Sequence, residues 1–298
     1  MPGLKEVRVR IASVKSTQQI TNAMKMVAAS KFRKAQMAIV KLRPYAAKLK
    51  EIMQNLSFSM NDSNENVYTR ERDPENILLV VITSNRGLCG GFNANIIKAT
   101  LNLFLTTYAE QQQKGNVSLI TIGRKASEYF RKRGYKMLGS YDDLFDRLTF
   151  ENISLLAEQL MKAFTDKKYD RIQIVYNQFK NAAVQRLVIE QYLPILPLVP
   201  DPKAPTEKHL IKANYIFEPD QETIIQLLIP KSLRIQLYKS ILDSFASEQG
   251  ARMTAMQQAT DNARELLRAL QISYNKARQY SITKELLEIV AGAEALKG

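Results

Sequence analysis

The residues that come nearest to a chemical site form a glycine-rich turn, Ser84-Asn85-Arg86-Gly87-Leu88-Cys89-Gly90-Gly91-Phe92. A buried strand, such a turn and a helix N-terminus can together cradle a phosphate. The spacing does not fit, because no Gly-Lys-Ser or Gly-Lys-Thr follows the turn and the chain has no G-x-G-x-x-G pattern. We therefore interpret Gly87, Gly90 and Gly91 as a structural turn that brings strand and helix together.

Reactive side chains elsewhere do not form a catalytic set. The single cysteine, Cys89, excludes an internal disulfide and a four-cysteine zinc site, and the single histidine, His209, adds no second metal ligand. The carboxylates show no spacing that marks an acid and base pair. We therefore predict no catalytic residue, no cofactor and no metal, and we interpret Cys89 and His209 as packing residues.

Alternating strand and helix patterns surround the turn and predict a central α/β domain over residues 77–205. Ile77–Thr83 is a continuous apolar run, typical of a strand buried on both faces of a sheet. Further strands are predicted at 117–122, 171–176 and 184–192, and helices at 93–112, 125–133 and 152–165. This alternation predicts a Rossmann-like, mostly parallel sheet with helices on its faces. Residues 59–76 are predicted to be a linker, and prolines precede a connector at 206–219.

Long helices are predicted at both ends of the chain, over 1–58 and 220–298. Pro44 is the only proline between Leu4 and Leu56, and we expect a kink there. A helix from Asp220 to Leu296 is about 115 Å long at ~1.5 Å per residue, more than one globular domain covers. Apolar positions at three-four spacing predict a coiled-coil seam, formed by Val7, Val14, Met24, Ala28, Ala35, Ala38, Leu42, Tyr45, Leu49, Ile52 and Leu56 against Ile235, Tyr238, Leu242, Phe245, Met256, Ala259, Ala263, Leu266, Leu270 and Ala277. The simplest arrangement is an antiparallel hairpin rising from the α/β domain.

The C-terminal helix is the longer of the two, so its last part is predicted to stand alone. It extends roughly 35 Å beyond its partner, from about Asn275 onward. This overhang carries a row of apolar side chains, Ile282, Leu286, Leu287, Ile289, Val290, Ala293 and Leu296. Such an apolar surface requires a surrounding protein.

Positive charge is concentrated on the N-terminal helix. The chain carries a net charge of +14, and residues 1–58 hold twelve Lys or Arg against two Glu, a net of +10. A basic helix suits nucleic acid, an anionic membrane or an acidic protein surface. A solvated coiled-coil flank is the alternative, because Lys34, Lys41 and Lys48 repeat every seven residues. No apolar run reaches the ~20 residues of a membrane span, and the first 13 residues lack a signal-peptide core, so we expect the protein to stay where it is made.

Several motifs in both ends and the centre resemble the gamma-subunit family of F-type ATP synthases. They are Ile11-Ala12-Ser13-Val14, Ala23-Met24-Lys25-Met26-Val27-Ala28-Ala29-Ser30-Lys31, Arg86-Gly87-Leu88-Cys89-Gly90-Gly91, Ala251-Arg252-Met253, Ala259-Thr260-Asp261-Asn262, Tyr274-Asn275-Lys276-Ala277-Arg278-Gln279, Ser281-Ile282-Thr283 and Glu288-Ile289-Val290-Ala291-Gly292-Ala293. They occur in the order of the family.

This resemblance implies a central rotor shaft without chemistry of its own. One copy would stand inside a ring of alpha and beta subunits, contact the epsilon subunit, and rest on the proton-driven c-ring. Rotation would then take the beta sites through their nucleotide-binding states in turn. The expected location is the cytoplasmic side of the bacterial inner membrane, peripherally bound, in a complex that synthesises ATP.

The resemblance and the overhang together predict which residues contact the alpha and beta subunits. These residues are Met24, Lys25, Lys31, Arg33, Arg252, Arg278, Gln279, Thr283, Leu286 and Ile289. Gln249 and Arg252 are polar positions in the apolar seam, and they set its register or contact a beta subunit. Arg8 and Arg10, with Lys25, Lys31 and Arg33, are candidates to pair with acidic segments of the beta subunits.

The chain departs from the family at two positions, since Asn85 and Lys25 stand where relatives carry an acid. Two other interpretations of the residues stay open. A nucleic-acid-binding coiled coil would explain the basic helix, but few aromatic residues and no recognised binding module accompany it. A nucleotide-dependent α/β enzyme with helical arms would explain the glycine turn, but that turn lacks the phosphate-loop spacing.

Overall fold

A computed structural model describes residues 4–59, 67–145, 147–181, 184–195 and 221–295. The helices are α1 (Leu4–Ser59), α2 (Phe92–Leu105), α3 (Ala109–Gln113), α4 (Arg124–Lys132), α5 (Phe150–Thr165) and α6 (Gln221–Ala295), and a short 3-10 helix spans Asp142–Phe145. The strands are β1 (Ile77–Ile82), β2 (Val117–Ile122), β3 (Met137–Ser140), β4 (Arg171–Phe179) and β5 (Gln185–Leu193). The predicted fold class is confirmed, with long terminal helices and a central, mostly parallel sheet.

The sheet has the strand order β3-β2-β1-β4-β5. The pairs β1–β2, β1–β4 and β2–β3 are parallel, whereas β5 pairs antiparallel with β4 at one edge. All six residues of β1 are buried, as its continuous apolar sequence predicts. Helix α5 and residues 229–241 of α6 share a core with one face of the sheet, and α2 and α4 share a core with the other.

Two elements differ from the sequence prediction. The helix predicted at 93–112 is interrupted between Leu105 and Ala109, because the chain turns there and buries Tyr108. The Thr106 hydroxyl donates to the Asn102 carbonyl at 2.7 Å and so closes the first of these two helices. Strand β3 was not predicted, because its four residues alternate between half-buried and exposed and include Gly139.

The chain divides into two compact units. A helical unit comprises Met1–Ser30 and Arg252–Gly298, and a sheet unit comprises Lys31–Ala251. Helix α1 continues through Pro44, so the proline does not end the helix. Most predicted seam positions are buried or half-buried, but the prediction is wrong for Tyr45 and Leu266, which are 46% and 42% exposed. The Leu56 side chain, His209, the predicted connector and Leu296 lie outside the described residues.

Candidate functional site

The glycine turn after β1 is stabilised by hydrogen bonds within itself. The Asn93 side-chain amide donates to the Ser84 hydroxyl at 2.8 Å, and the Asn93 Oδ1 accepts from the Ser84 backbone N–H at 3.0 Å. Cys89 is buried beside them, with its Sγ 3.2 Å from Asn93 Nδ2. Of the three predicted turn glycines only Gly90 has a positive φ, at +58°, and a Cβ on Gly87 or Gly90 would meet open space.

The closest backbone approach at this edge of the sheet is at Gly123, directly after β2. A Cβ on Gly123 would lie 2.1 Å from the Thr83 carbonyl oxygen, and its φ of +105° also disfavours a side chain. The Thr83 hydroxyl donates to the Gly123 carbonyl at 3.1 Å. Sequence reasoning missed this role, although a glycine between an apolar strand and a helix was a signal for it.

The amides at the start of α4 are already bonded within the chain. Their acceptors all lie in the segment that follows β1: Arg124 N–H donates to Asn85 Oδ1 at 3.0 Å, Lys125 N–H to the Ser84 carbonyl at 3.1 Å, and Ala126 N–H to Thr83 Oγ1 at 3.0 Å. A helix N-terminus binds a phosphate through N–H groups of this kind. These three groups therefore link α4 to the glycine turn and are not available to an anion.

Asn85 uses both ends of its side-chain amide. Its Oδ1 accepts from Arg124, and its Nδ2 donates to the Asp142 carbonyl at 2.8 Å. An ionised carboxylate can only accept hydrogen bonds, so an acid at position 85 could not make the second contact. These two bonds give Asn85 a local structural role that a carboxylate could not fill.

Helix α6 contributes to the core at the point where doubly wound sheets bind ligands. That point lies outside the carboxyl ends of the strands, where the connections leave in opposite directions. In this sheet the chain passes from β1 outward to β2, and from β3 back across to β4. The point where the connections diverge therefore lies between β1 and β4. Ala251 of α6 belongs to the same buried cluster as Cys89, Phe92 and Val175.

A run of polar side chains on α6 is buried. Asp243, Ser244, Ser247, Glu248 and Gln249 are all less than 9% exposed, and Gln249 Nε2 donates to Glu248 Oε1 at 3.2 Å. Burial raises the pKa of Asp243 to about 6, with Lys239 and Arg43 opposing the shift. Both polar positions predicted in the seam, Gln249 and Arg252, are buried.

Within the helical unit, polar side chains join α1 to α6. Arg8 donates to the Tyr274 hydroxyl at 2.8 Å, and Lys25 Nζ donates to Gln257 Oε1 at 2.8 Å. Between these two contacts, the hydroxyls of Thr21 and Thr260 are 2.8 Å apart and buried. The residue numbers rise along α1 and fall along α6, so the two segments are antiparallel, as the sequence predicts.

From Arg278 to the end of the described part of α6, every residue except Ser281 is exposed. We call residues 278–295 the tip. Its contacts are local, as in the Thr283 hydroxyl donating to the Gln279 carbonyl at 3.0 Å. Large apolar side chains are exposed along it, namely Tyr280, Ile282, Leu286, Leu287, Ile289 and Val290. The predicted overhang agrees with this exposure, since these apolar side chains have no partner among the residues that the structure describes.

The predicted contact residues differ in their exposure. Lys31 and Arg33 are exposed on α1, and Arg278, Gln279, Thr283, Leu286 and Ile289 are exposed on the tip. Met24 and Lys25 are half-buried, and Arg252 is buried. Lys25 is already bonded to Gln257, so this residue is less available to a partner than its charge suggests.

Neither a membrane-spanning helix nor a metal-binding cluster occurs in the described residues. Within the described ranges, no helix combines the length and the hydropathy of a membrane span. In the same part of the chain, no three His, Cys, Asp or Glu side chains come together as metal ligands.

Comparison with known proteins gives matches over nearly the whole chain. The family model described as ATP synthase matches residues 3–296. The ATP synthase gamma chain of Cytophaga hutchinsonii is 51% identical over 297 residues, covering 99% of each chain. That of Flavobacterium johnsoniae is 52% identical over 298 residues, covering 100% of each.

Solved structures give the same fold. The central stalk and c-ring structure of the Tetrahymena thermophila mitochondrial ATP synthase contains a chain that matches with a TM-score of 0.58 and 25% identity, covering 80% of this chain and 99% of that one. A chain of the Euglena gracilis mitochondrial enzyme, in rotational state 3, matches with a TM-score of 0.67 and 22% identity, covering 98% of this chain and 94% of that one.

Proposed function

This chain belongs to the ATP synthase family, as a gamma chain and central-stalk subunit, and we propose that it couples rotation to ATP turnover through its exposed tip. The observation that carries the proposal is the tip itself, an apolar helix surface that no part of the described chain covers. A ring of alpha and beta subunits around it would bury these side chains. Assembly would then remove the unfavourable free energy of exposing these apolar side chains to water.

We further propose that the subunit is not catalytic. The amides that would hold a phosphate at α4 are bonded to Thr83, Ser84 and Asn85, and α6 contributes Ala251 to the core beside β1 and β4. The part of the fold where related sheets bind nucleotides is thus used for internal packing. The chemistry of the complex belongs to other subunits, and this chain presents a different face to each of them as it turns.

The proposed partners are the alpha and beta subunits at the tip, and the epsilon subunit and a proton-driven c-ring at the sheet unit. In the Tetrahymena structure, a central stalk occurs together with a c-ring, which supports the second of these contacts. We propose a peripheral location on the cytoplasmic side of the bacterial inner membrane, where a c-ring would hold the subunit. This proposed location depends on the proposed contact with the c-ring.

At the start of the tip, Arg278 and Gln279 are proposed to bond beta subunits in only some rotational states. A guanidinium and an amide suit reversible hydrogen bonding to carboxylates and carbonyls. Replacing both residues with Ala should lower ATP synthesis and hydrolysis by roughly tenfold, because about 1.4 kcal/mol of state-dependent contact is lost. Assembly should be largely unchanged, since both side chains are exposed.

The matched control replaces Arg268 and Gln271, which are exposed on the same helix before the tip. Both variants are reconstituted with the alpha and beta subunits, and ATP turnover is measured on complexes purified to equal subunit content. Unchanged turnover in the Arg278→Ala, Gln279→Ala complex would reject the proposed coupling contact. Failure of the unaltered chain to assemble with the ring would reject the proposed function as a whole.

A further inference from the structure

Three polar contacts between α1 and α6 in the described part of the helical unit share one register. The pairs are Arg8–Tyr274, Thr21–Thr260 and Lys25–Gln257, and the two residue numbers add to 281 or 282 in each. Antiparallel helices keep such a sum constant only when neither helix slides along the other. These contacts therefore describe one alignment over five turns of α1.

The apolar seam of this unit discriminates weakly between registers. Small or hydroxyl-bearing residues occupy much of its buried surface, including Thr21, Ala28, Thr260 and Ala263. Val7 and Met256 are the larger apolar side chains among the described buried residues of this unit, so a slide of one helical turn would change the buried apolar area mainly at these two. In coiled coils, polar seam residues select the register that apolar packing leaves open.

Gln257 is oriented for its contact with Lys25 by a second acceptor. Its Nε2 donates to Asp261 Oδ2 at 2.6 Å, which directs Oε1 to Lys25, and Arg264 holds the other carboxylate oxygen of Asp261 at 3.1 Å. This chain of bonds fixes which end of the Gln257 amide faces α1. The geometry therefore specifies a donor at position 25 and an acceptor at position 257.

We propose that the pairs Lys25–Gln257 and Thr21–Thr260 form a register lock. This lock fixes how far the tip extends beyond α1 and in which direction its side chains point. The tip has no neighbour among the described residues, so its position depends on where α6 is held against α1. Lys25, Gln257, Thr21 and Thr260 are then positioning residues, which act through the alignment of α6 and not by touching a nucleotide. The consequence for coupling rests on the proposed function, whereas the lock itself does not.

The register can be measured directly with paired spin labels. Ala12 and Gln271 are exposed and lie on α1 and α6 of the helical unit, and Cys89 is 2% exposed, so labels on Ala12→Cys and Gln271→Cys report the alignment. Distances are measured by double electron–electron resonance on the full chain, free and assembled. With the Lys25–Gln257 and Thr21–Thr260 pairs left intact, the labelled chain should give one narrow distance distribution.

Removing the lock with Lys25→Ala and Thr21→Val should broaden this distribution or shift it by about one turn, roughly 5 Å. The slipped population should rise about fivefold for each hydrogen bond lost. The transposed pair, Lys25→Glu with Gln257→Lys, again sets a donor against an acceptor and should recover the narrow distribution. Lys25→Glu alone should not, because a carboxylate that only accepts would face the Gln257 Oε1. Lys15→Ala, an exposed lysine on the same segment, is the matched control and should leave the distribution unchanged.

In the assembled complex, the protons moved per ATP hydrolysed should fall with the lock removed and recover with the transposed pair. The proposal is overturned if the Lys25→Ala, Thr21→Val variant gives the same distance distribution as the unaltered chain. It is also overturned if Lys15→Ala changes the distribution as much as that double variant does. If that double variant does not fold, Lys25→Glu alone against the transposed pair decides in the same way. If the unaltered chain does not assemble, the rotor proposal fails, and the distances in the free chain still decide whether the lock exists.

Discussion

At the scale of single residues, the sheet unit depends on a few side chains that link neighbouring strand ends. Thr83 is bonded both to the Gly123 carbonyl and to the Ala126 N–H, and Asn85 is bonded both to Arg124 and to Asp142. Each of these residues therefore bonds two backbone groups at once, although the Gly123 carbonyl also accepts from the Ser127 N–H and hydroxyl. Gly123 is required because its backbone comes against Thr83.

Replacing Gly123 with Ala should lower the free energy of unfolding by at least about 3 kcal/mol, because strain at positive φ adds to a clash with backbone. Gly134→Ala is the matched control, since its φ is +73° but its added Cβ meets nothing. That substitution should cost about 1 kcal/mol. Urea unfolding of both purified chains measures the difference, and equal costs would mean that the clash is relieved by movement of Thr83.

Asp243 makes the stability of the folded chain depend on pH. Burial raises its pKa from 3.8 to about 6, so the folded chain holds this proton more tightly than the unfolded chain does. Between about pH 4 and pH 6 the folded state binds more protons, and the free energy of unfolding therefore falls as the pH rises. The contribution is fully present below pH 4 and lost above pH 6, and it amounts to about 3 kcal/mol.

Asp243→Asn removes this proton equilibrium at little change in side-chain volume. The variant should lose the fall in unfolding free energy between pH 4 and pH 6, and it should be more stable than the unaltered chain near pH 7. Glu265→Gln, an exposed carboxylate on the same helix, is the control and should leave the slope unchanged. Urea unfolding at several pH values measures the slope, and the same slope in all three chains would contradict the assigned pKa.

At the scale of elements, α6 has different surroundings along its length although it is one helix of 75 residues. Residues 229–241 bury apolar side chains in the core of the sheet unit, and residues 243–249 bury polar ones. Residues 257–274 contact α1 in the helical unit, and the tip is exposed. A single helix, although it contains Pro230, can continue through all of these because nearly all of its backbone bonds are internal, whereas its local stability follows its burial.

The tip should exchange its amide hydrogens much faster than the buried part of the same helix. In the free chain, residues 278–295 should be nearly unprotected, because a helix end without packing opens locally. Assembly with the alpha and beta subunits should protect them. Hydrogen exchange followed by mass spectrometry measures both states, with residues 241–250 as an internal control that stays protected. Equal protection of the tip, free and assembled, would show that no partner covers it.

At the scale of the whole molecule, the excess positive charge lies mostly on the N-terminal 58 residues. The contact between Lys25 and Gln257 assigns one of these charges to a bond within the chain. Lys31 and Arg33 are exposed and remain candidates for an acidic partner. The charge can guide association through long-range attraction even where single pairs contribute only ~0.2 to 1 kcal/mol.

Reversing Lys31 and Arg33 to Glu should weaken coupled hydrolysis in the assembled complex, and it should do so most strongly at low salt, where screening is least. Reversal of facing acids on the partner should partly restore the rate. Arg131→Glu with Lys132→Glu, exposed on α4, makes the same change in net charge and should have no such effect. Rates measured over a range of salt concentrations test this. If the variant hydrolyses ATP at the unaltered rate at low salt, the positive charge on α1 only keeps the helix hydrated and attracts no partner.

The amino-acid sequence alone determined the type and order of most elements. Apolar runs such as Ile77–Ile82 predict buried strands, and three-four spacing predicts α1 and α6, because these periods follow from the geometry of the local backbone. The length difference between the two long helices also predicted an exposed tip. Short, half-buried elements such as β3 have no comparable period and were missed.

Tertiary structure alone decided which distant groups meet. Thr83 and Gly123 are 40 positions apart, and Lys25 and Gln257 are 232 positions apart, so no local pattern connects them. The antiparallel direction of β5 and the burial of Asp243 likewise depend on neighbours from other parts of the chain. Hydrogen bonds and close packing act over a few ångströms in space, and a one-dimensional period records only the face on which a residue lies.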